Sequence, residues 1–104
     1  MSIPEIRILG IDTSLRSTGV GVVAATGSRM SAIEYGTIPI AAKVSLSESL
    51  TRLHRAIVEI IERTRPEAAA IEGIFFCKNV NTAVVLGEAR GVVIAACAAQ
   101  GLAV

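Results

Sequence analysis

The sequence is poor in the residues that usually announce a site. Its 104 residues include no Trp, one Tyr, two Phe, one His and two Cys. Cys77 and Cys97 form no Cys-x-x-Cys pair, and a single His cannot complete a Cys/His zinc centre, so that class of site is excluded. Two isolated cysteines make a reduced, cytoplasmic compartment the default expectation. No uncharged apolar run reaches the ~18 residues that a membrane span needs. The opening Met1-Ser2-Ile3-Pro4-Glu5-Ile6 lacks a basic region followed by a long apolar stretch, so neither a membrane association nor a secretory signal is expected. Charge of one sign is missing as well. Ten basic residues against nine acidic ones give a net charge of +1, which excludes a strongly basic nucleic-acid binder on bulk charge but leaves a local basic patch open. Aspartate is nearly absent: eight of the nine acids are Glu, and the single Asp is Asp12, at the end of an apolar run.

Hydrophobic residues make up 52% of the chain and charged residues 18%, which rules out global disorder. The length suits one domain, residues 1–104, able to bury roughly 65% of the surface its unfolded chain exposes. Ile6 to Ile11 reads as a buried strand in which only Arg7 is charged. The polar turn Asp12-Thr13-Ser14-Leu15-Arg16-Ser17 leads to a second strand, Thr18 to Ala25, rich in Val. Thr26-Gly27-Ser28 is a hairpin signal, and Met30 to Ile38 returns as a third strand that Pro39 stops or confines to a sheet edge. The period then changes. Leu46, Leu50, Leu53, Ile57, Ile60 and Ile61 recur every three to four residues, Ser45 and Glu48 form a capping box, and Arg65-Pro66 is the stop. Ala68 to Ile71 is a short apolar run ending at Glu72. Asn79 or Asn81 caps a second helix running to about Ala99, with Gly101 just past its end, and Leu102-Ala103-Val104 opens a further strand.

Two strands therefore end in an acid, Asp12 and Glu72. The second follows a helix, so a right-handed crossover lays it parallel to the strand it joins. If that strand is the first, both acids emerge at one sheet end, where α/β sheets place their sites. Carboxylates on strands ~4.8 Å apart repel unless a cation lies between them. Oxygen ligands of this kind suit Mg²⁺ or Mn²⁺ rather than zinc. The plainer reading is that Asp12 caps its own turn while Glu72 faces water, and pattern alone does not choose. The flank Gly73-Ile74-Phe75-Phe76-Cys77-Lys78-Asn79 joins two of the three aromatics to a Lys and a helix start. Rings stack on unpaired bases, and a helix N-terminus with Lys attracts phosphate, although Phe is most often core.

These residues carry a resemblance. Ile8-Leu9-Gly10-Ile11-Asp12-Thr13-Ser14-Leu15-Arg16-Ser17-Thr18-Gly19 resembles the opening of the RuvC family of bacterial Holliday-junction resolvases. Ala70-Ile71-Glu72-Gly73-Ile74-Phe75-Phe76-Cys77-Lys78-Asn79 is similar to that family's second acidic segment, and Leu86-Gly87-Glu88-Ala89-Arg90-Gly91 to the helix that follows. The resemblance implies an α/β, RNase H-like mixed sheet: a three-strand antiparallel meander, then helix, strand, helix and strand. It implies a metal-dependent endonuclease that cuts four-way DNA junctions as a homodimer with Mg²⁺ or Mn²⁺, alongside the RuvA–RuvB branch-migration complex. Asp12 and Glu72 would be the catalytic, metal-binding carboxylates, Phe75, Lys78 and Asn79 would lie at the DNA, and Arg16 would contact its backbone. Two departures stand out. The family's usual Pro-Gly-Ser after the first acid is Thr13-Ser14-Leu15 here. Its two further acids, on a C-terminal helix, would lie beyond Val104, so this sequence is expected to be a truncated piece holding half a site and inactive by itself.

Other features weigh less. Ala83, Gly87, Gly91, Ala95 and Ala99 form a ladder of small residues, which fits either tight packing on the sheet or a dimer contact through Gly87 and Gly91. Arg52, Arg55, Arg63 and Arg65 among Glu48, Glu59 and Glu62 read as a solvated helix face, with His54 at the surface and Cys77 as packing. An uncovered apolar surface and a ragged last strand predict self-association. Two rival functions remain. An actin-like ATPase-type phosphotransferase shares the Gly-Ile-Asp strand end, but Thr13-Ser14-Leu15-Arg16 lacks a Gly-rich phosphate loop. A non-catalytic junction-binding or dimerisation module conflicts with the carboxylates, which repel phosphate unless a metal intervenes.

Overall fold

A computed structural model describes residues 3–72 and 79–104. The elements follow in the order β1 (Ile6–Asp12), β2 (Ser17–Thr26), β3 (Arg29–Pro39), α1 (Leu46–Thr64), β4 (Ala68–Ile71) and α2 (Val80–Ala99). The four strands form one sheet in the order β3-β2-β1-β4. β1 and β2 are antiparallel, as are β2 and β3, whereas β4 joins β1 in parallel with Ile11 opposite Ile71. This is the expected meander followed by a crossover strand.

Alternation along β1 decides the layering. Leu9 and Ile11 are buried, and they face Val22 and Val20 in β2 and Ala69 and Ile71 in β4. That sheet face meets both helices: Leu53, Ile57, Ile60 and Ile61 of α1 and Ala89, Val93, Ala96 and Cys97 of α2 join it in one core cluster. The opposite face carries Ile6, Ile8, Gly10 and Asp12 of β1 and Met30 and Tyr35 of β3, and no described element covers it; Tyr35 is 82% exposed.

Local chemistry sets the boundaries. Each strand of the meander runs a residue or so past its sequence-based limits, because pairing continues into the turns. Pro39 closes β3 on the sheet edge, where its missing N–H costs no ladder bond, and the amide of Ile40 donates to Arg16 O at 2.9 Å just beyond it. Gly27 turns the hairpin at φ 62°, in the left-handed region. Between Val22 and Val23 the β2–β3 register slips at a bulge near Ile33, which no Gly or Pro marks in the sequence.

Ser45 caps α1 by accepting from the Glu48 amide, and Arg65 ends the helix in the left-handed conformation, its N–H donating to Ile61 O at 2.8 Å. Of the two candidate caps for α2, Asn79 is the one used: its Oδ1 accepts from the Thr82 amide at 2.8 Å. α2 is long and apolar enough by composition to cross a bilayer, yet Ala89, Val93, Ala96 and Cys97 seat one of its faces in the core. The last residues begin a further parallel pairing, Ala103 bridging Ala68 on the outer side of β4.

The small-residue ladder does not pack on the sheet. Gly87, Gly91 and Ala95 are exposed, and a Cβ built at either glycine meets nothing within 4 Å. The tight-packing reading is thereby corrected: core contact falls to the neighbouring stripe of Ala89, Val93 and Ala96, rotated away from the glycines on the same helix. The α1 charges behave as a solvated face, with Arg52 paired to Glu48 and Arg63 to Glu34, and with His54 exposed.

Candidate metal-binding site at the strand ends

Asp12 is the last residue of β1, and Glu72 directly follows β4. Because Ile11 stands opposite Ile71 in a parallel ladder, the next residue on each strand falls beside the other. One hydrogen bond completes the arrangement: the Glu72 amide donates to Ile11 O at 3.0 Å. By the alternation of the pleat, Ile11 and Ile71 turn to the core, and Asp12 and Glu72 share the opposite, open face. Both acids are exposed.

They line one end of an open groove of about 770 Å³ that runs across the sheet to Tyr35, Gly36 and Thr37 of β3. Its floor is largely backbone, with Gly10 and Gly21 adjacent in the ladder and Ala70 beside Gly10. Gly19 pairs with Asp12 across the strands, where a Cβ would sit in ordinary contact, 3.6 Å from Asp12 Cβ.

The two carboxylates form an oxygen-only donor set. Among the described residues no group of three or more His, Cys, Asp or Glu converges on one point. An oxygen-only pair of this kind suits a hard divalent cation that keeps most of its waters.

The loop after Asp12 is tied down from within. The Thr18 hydroxyl donates to Ser14 O, and the Ser14 Oγ accepts from the amides of Arg16 and Ser17. Arg16 turns inward: its Nη1 donates to Ala41 O at 2.9 Å and to Ser49 Oγ at 3.1 Å, clamping the turn to the start of α1. The turn and the first turns of α2 line a second concavity, with Arg16 on one side and Asn81 and Thr82 on the other. Asn79 is exposed, its side-chain oxygen engaged as the helix cap. Phe75, Cys77 and Lys78 lie outside the described residues.

One contact at the site is not apparent from the residues taken singly. Arg90 of α2 donates from Nε to Glu72 O at 3.0 Å. The available signal was an Arg standing just before an uncharged run, Gly91 to Val104, on a helix seated in the core.

A three-strand meander, a parallel crossover strand and acids at the ends of two neighbouring strands define the RNase H-like class of α/β folds. Within it, the chain belongs to the RuvC family: the sequence model of crossover junction endodeoxyribonuclease RuvC matches residues 8–104. A crossover junction endodeoxyribonuclease RuvC from Xanthobacter autotrophicus is 44% identical over 104 residues, covering 100% of this chain and 62% of the relative. One from Thermotoga maritima is 36% identical over 100 residues, covering 96% of this chain and 60% of the relative. The chain spans about 60% of the length of the curated relatives it matches.

Among solved structures, T. thermophilus RuvC in complex with Holliday junction substrate superposes with a TM-score of 0.83 at 27% identity, over 93% of this chain and 60% of that one. An Aquifex aeolicus PPX-GPPA enzyme, at 15% identity and a TM-score of 0.54, shares the fold alone.

Proposed function

We propose that this chain carries part of the catalytic site of a divalent-metal-dependent endonuclease that resolves four-way DNA junctions in recombination and repair. One observation carries the reading: the Glu72 amide on Ile11 O, which sets the only Asp of the sequence beside a strand-end Glu on an open sheet face. Family membership and the likeness to a junction-bound RuvC support it.

In this reading Asp12 and Glu72 hold a Mg²⁺ or Mn²⁺ ion. When bound, such an ion neutralises phosphodiester charge and acidifies an attacking water. The carboxylates supply two anionic ligands, and Gly10 and Gly21 put no side chain of their own on the groove floor where a polymer backbone would approach. Phe75, Lys78 and Asn79 meet the junction, with Arg16 nearby holding the shape of the first acidic loop. The outward Gly87–Gly91 stripe of α2 is the contact of a homodimer, which a two-fold symmetric cut requires. The working compartment is the cytoplasm, and the branch-migration complex is the expected partner. A two-metal clamp needs more ligands than two carboxylates, so the 104-residue chain by itself is not expected to cleave.

The test is a Mn²⁺ titration of the chain followed by EPR of the free ion. Asn at position 12 and Gln at position 72 (D12N, E72Q) should each weaken binding by at least about tenfold, since removing a direct ligand costs no less than removing an outer-shell partner. Wild-type affinity in both variants would refute the metal assignment. Mg²⁺-dependent nicking of a labelled four-way junction by the 104-residue chain, lost in D12N, would refute its expected inactivity.

A further inference from the structure

Arg90 is an unusual residue for its place. α2 carries only two charged side chains, Glu88 and Arg90, and nothing charged follows as far as its end at Ala99. Arg90 follows the fully buried Ala89 and precedes the fully buried Val93 by three positions, and it is itself half-buried, with its bonded head at the surface. A long basic side chain can lay its stem on apolar neighbours while its head reaches a surface partner. The partner is a backbone carbonyl, that of Glu72, 18 positions earlier.

The consequence lies in what is held at Glu72. Its N–H, in the peptide before its Cα, donates to Ile11 O at 3.0 Å. Its C=O, in the peptide after its Cα, accepts from Arg90 Nε at 3.0 Å. Two peptide planes pinned on either side of one Cα leave its φ and ψ little freedom, which fixes the direction of the Cα–Cβ bond. β4 ends at Ile71, so the sheet holds only the first of these planes, and α2 holds the second. Through that bond α2 bears on the direction in which the Glu72 side chain leaves the backbone.

We propose that Arg90 is a positioning residue for Glu72, acting through the Glu72 backbone carbonyl to hold the second carboxylate in register with Asp12. The proposal rests on the reading of the acid pair as a metal site. It assigns Arg90 no contact with metal or DNA.

The test compares Arg90→Met, which keeps the stem and loses the donor, with Arg90→Lys, whose Nζ can reach the same carbonyl. Mn²⁺ affinity is read by EPR, and mobility at Glu72 by its backbone ¹⁵N order parameter without metal. R90M should weaken Mn²⁺ about tenfold, the usual scale for an outer-shell partner. Its Glu72 order parameter should drop from the rigid range near 0.85 towards 0.6. R90K should stay within about threefold of wild type and remain rigid, matching the effect to the donor. An R90M protein that is folded, rigid at Glu72 and binds Mn²⁺ as wild type does would overturn the proposal. So would R90M and R90K variants that lose the fold, since Arg90 would then be a structural clamp. D12N and E72Q run alongside separate the two claims: if neither alters Mn²⁺ binding, the metal reading falls, while the order parameter still decides whether Arg90 fixes Glu72.

Discussion

The amide of Glu72 donates to the carbonyl of Ile11, the residue immediately before Asp12, at 3.0 Å. That bond is the last rung of a parallel ladder, and it converts a separation of sixty positions in sequence into adjacency on one sheet face. The proposed metal site depends on it, because a cation between two carboxylates needs both at once.

Arg16 tests how much of the first acidic loop is architecture. Its Nη1 bonds to Ala41 O and Ser49 Oγ tie the turn to α1. Arg16→Ala should lower stability by about 1 kcal/mol, the scale of a typical net hydrogen bond, since one of the two bonds lies at the surface. In a chain this size that is a drop of several degrees in melting temperature, readable by circular dichroism. An unchanged melting temperature would return Arg16 to a role at the DNA alone.

Gly87 separates two readings of the small-residue stripe. A Cβ at this position meets nothing within 4 Å among the described residues, so the Gly87→Leu side chain starts into open space. Helix propensity alone predicts a gain of a few tenths up to about 0.8 kcal/mol. The same substitution should split a dimer built on this face, shifting the mass seen by light scattering. A lower melting temperature in the monomer would show that the residue packs internally.

Arg65 stands at φ 54° directly before Pro66, a conformation that costs a side chain with a Cβ. Its N–H still closes α1 on Ile61 O. Arg65→Gly keeps that bond and removes the strain, so denaturant unfolding should show a gain of about 0.5–1 kcal/mol, moderated by the flexibility of glycine in the unfolded chain.

Cys97 is fully buried among the α2 core residues, and burial pushes its thiol above the usual value near 9.0. The native state thus keeps its proton when the unfolded state releases it. By linkage, stability is unaffected below the unfolded value and falls as pH rises past about 9. Cys97→Ala should remove that part of the alkaline slope, at the cost of a small cavity. Alkylation at neutral pH should proceed only through unfolding.

Most of the fold was legible because it is written in short-range periods. The 3.6-residue recurrence from Leu46 to Ile61, the Ser45 and Asn79 caps and the valines of β2 each act within a turn or a strand. The acid pair was legible one step further out, since a crossover strand has a preferred hand and a parallel partner. The inward turn of Arg16, the bond from Arg90 to Glu72 and the outward face of Gly87 were not. Arg16 answers to a loop and to the start of α1, distant in sequence, and the other two depend on which side of α2 meets the sheet, where apolar residues spread around the helix mark no face. The bulge opposite Val22 and Val23 was silent for a related reason, as it is a register adjustment between strands whose residues suit regular pairing equally well.

β4 has only four residues, and a strand that short at the rim of a sheet frays. Here Ala69 donates to Ala103 O and the Ala103 amide returns to Glu67 O, so the strand is braced along its outer side as well as by β1. The strand that carries Glu72 is therefore anchored on both sides at its root, which leaves only its tip to the bonds with Ile11 and Arg90. Slow amide exchange at Ala69 would be the outward sign of that anchored root.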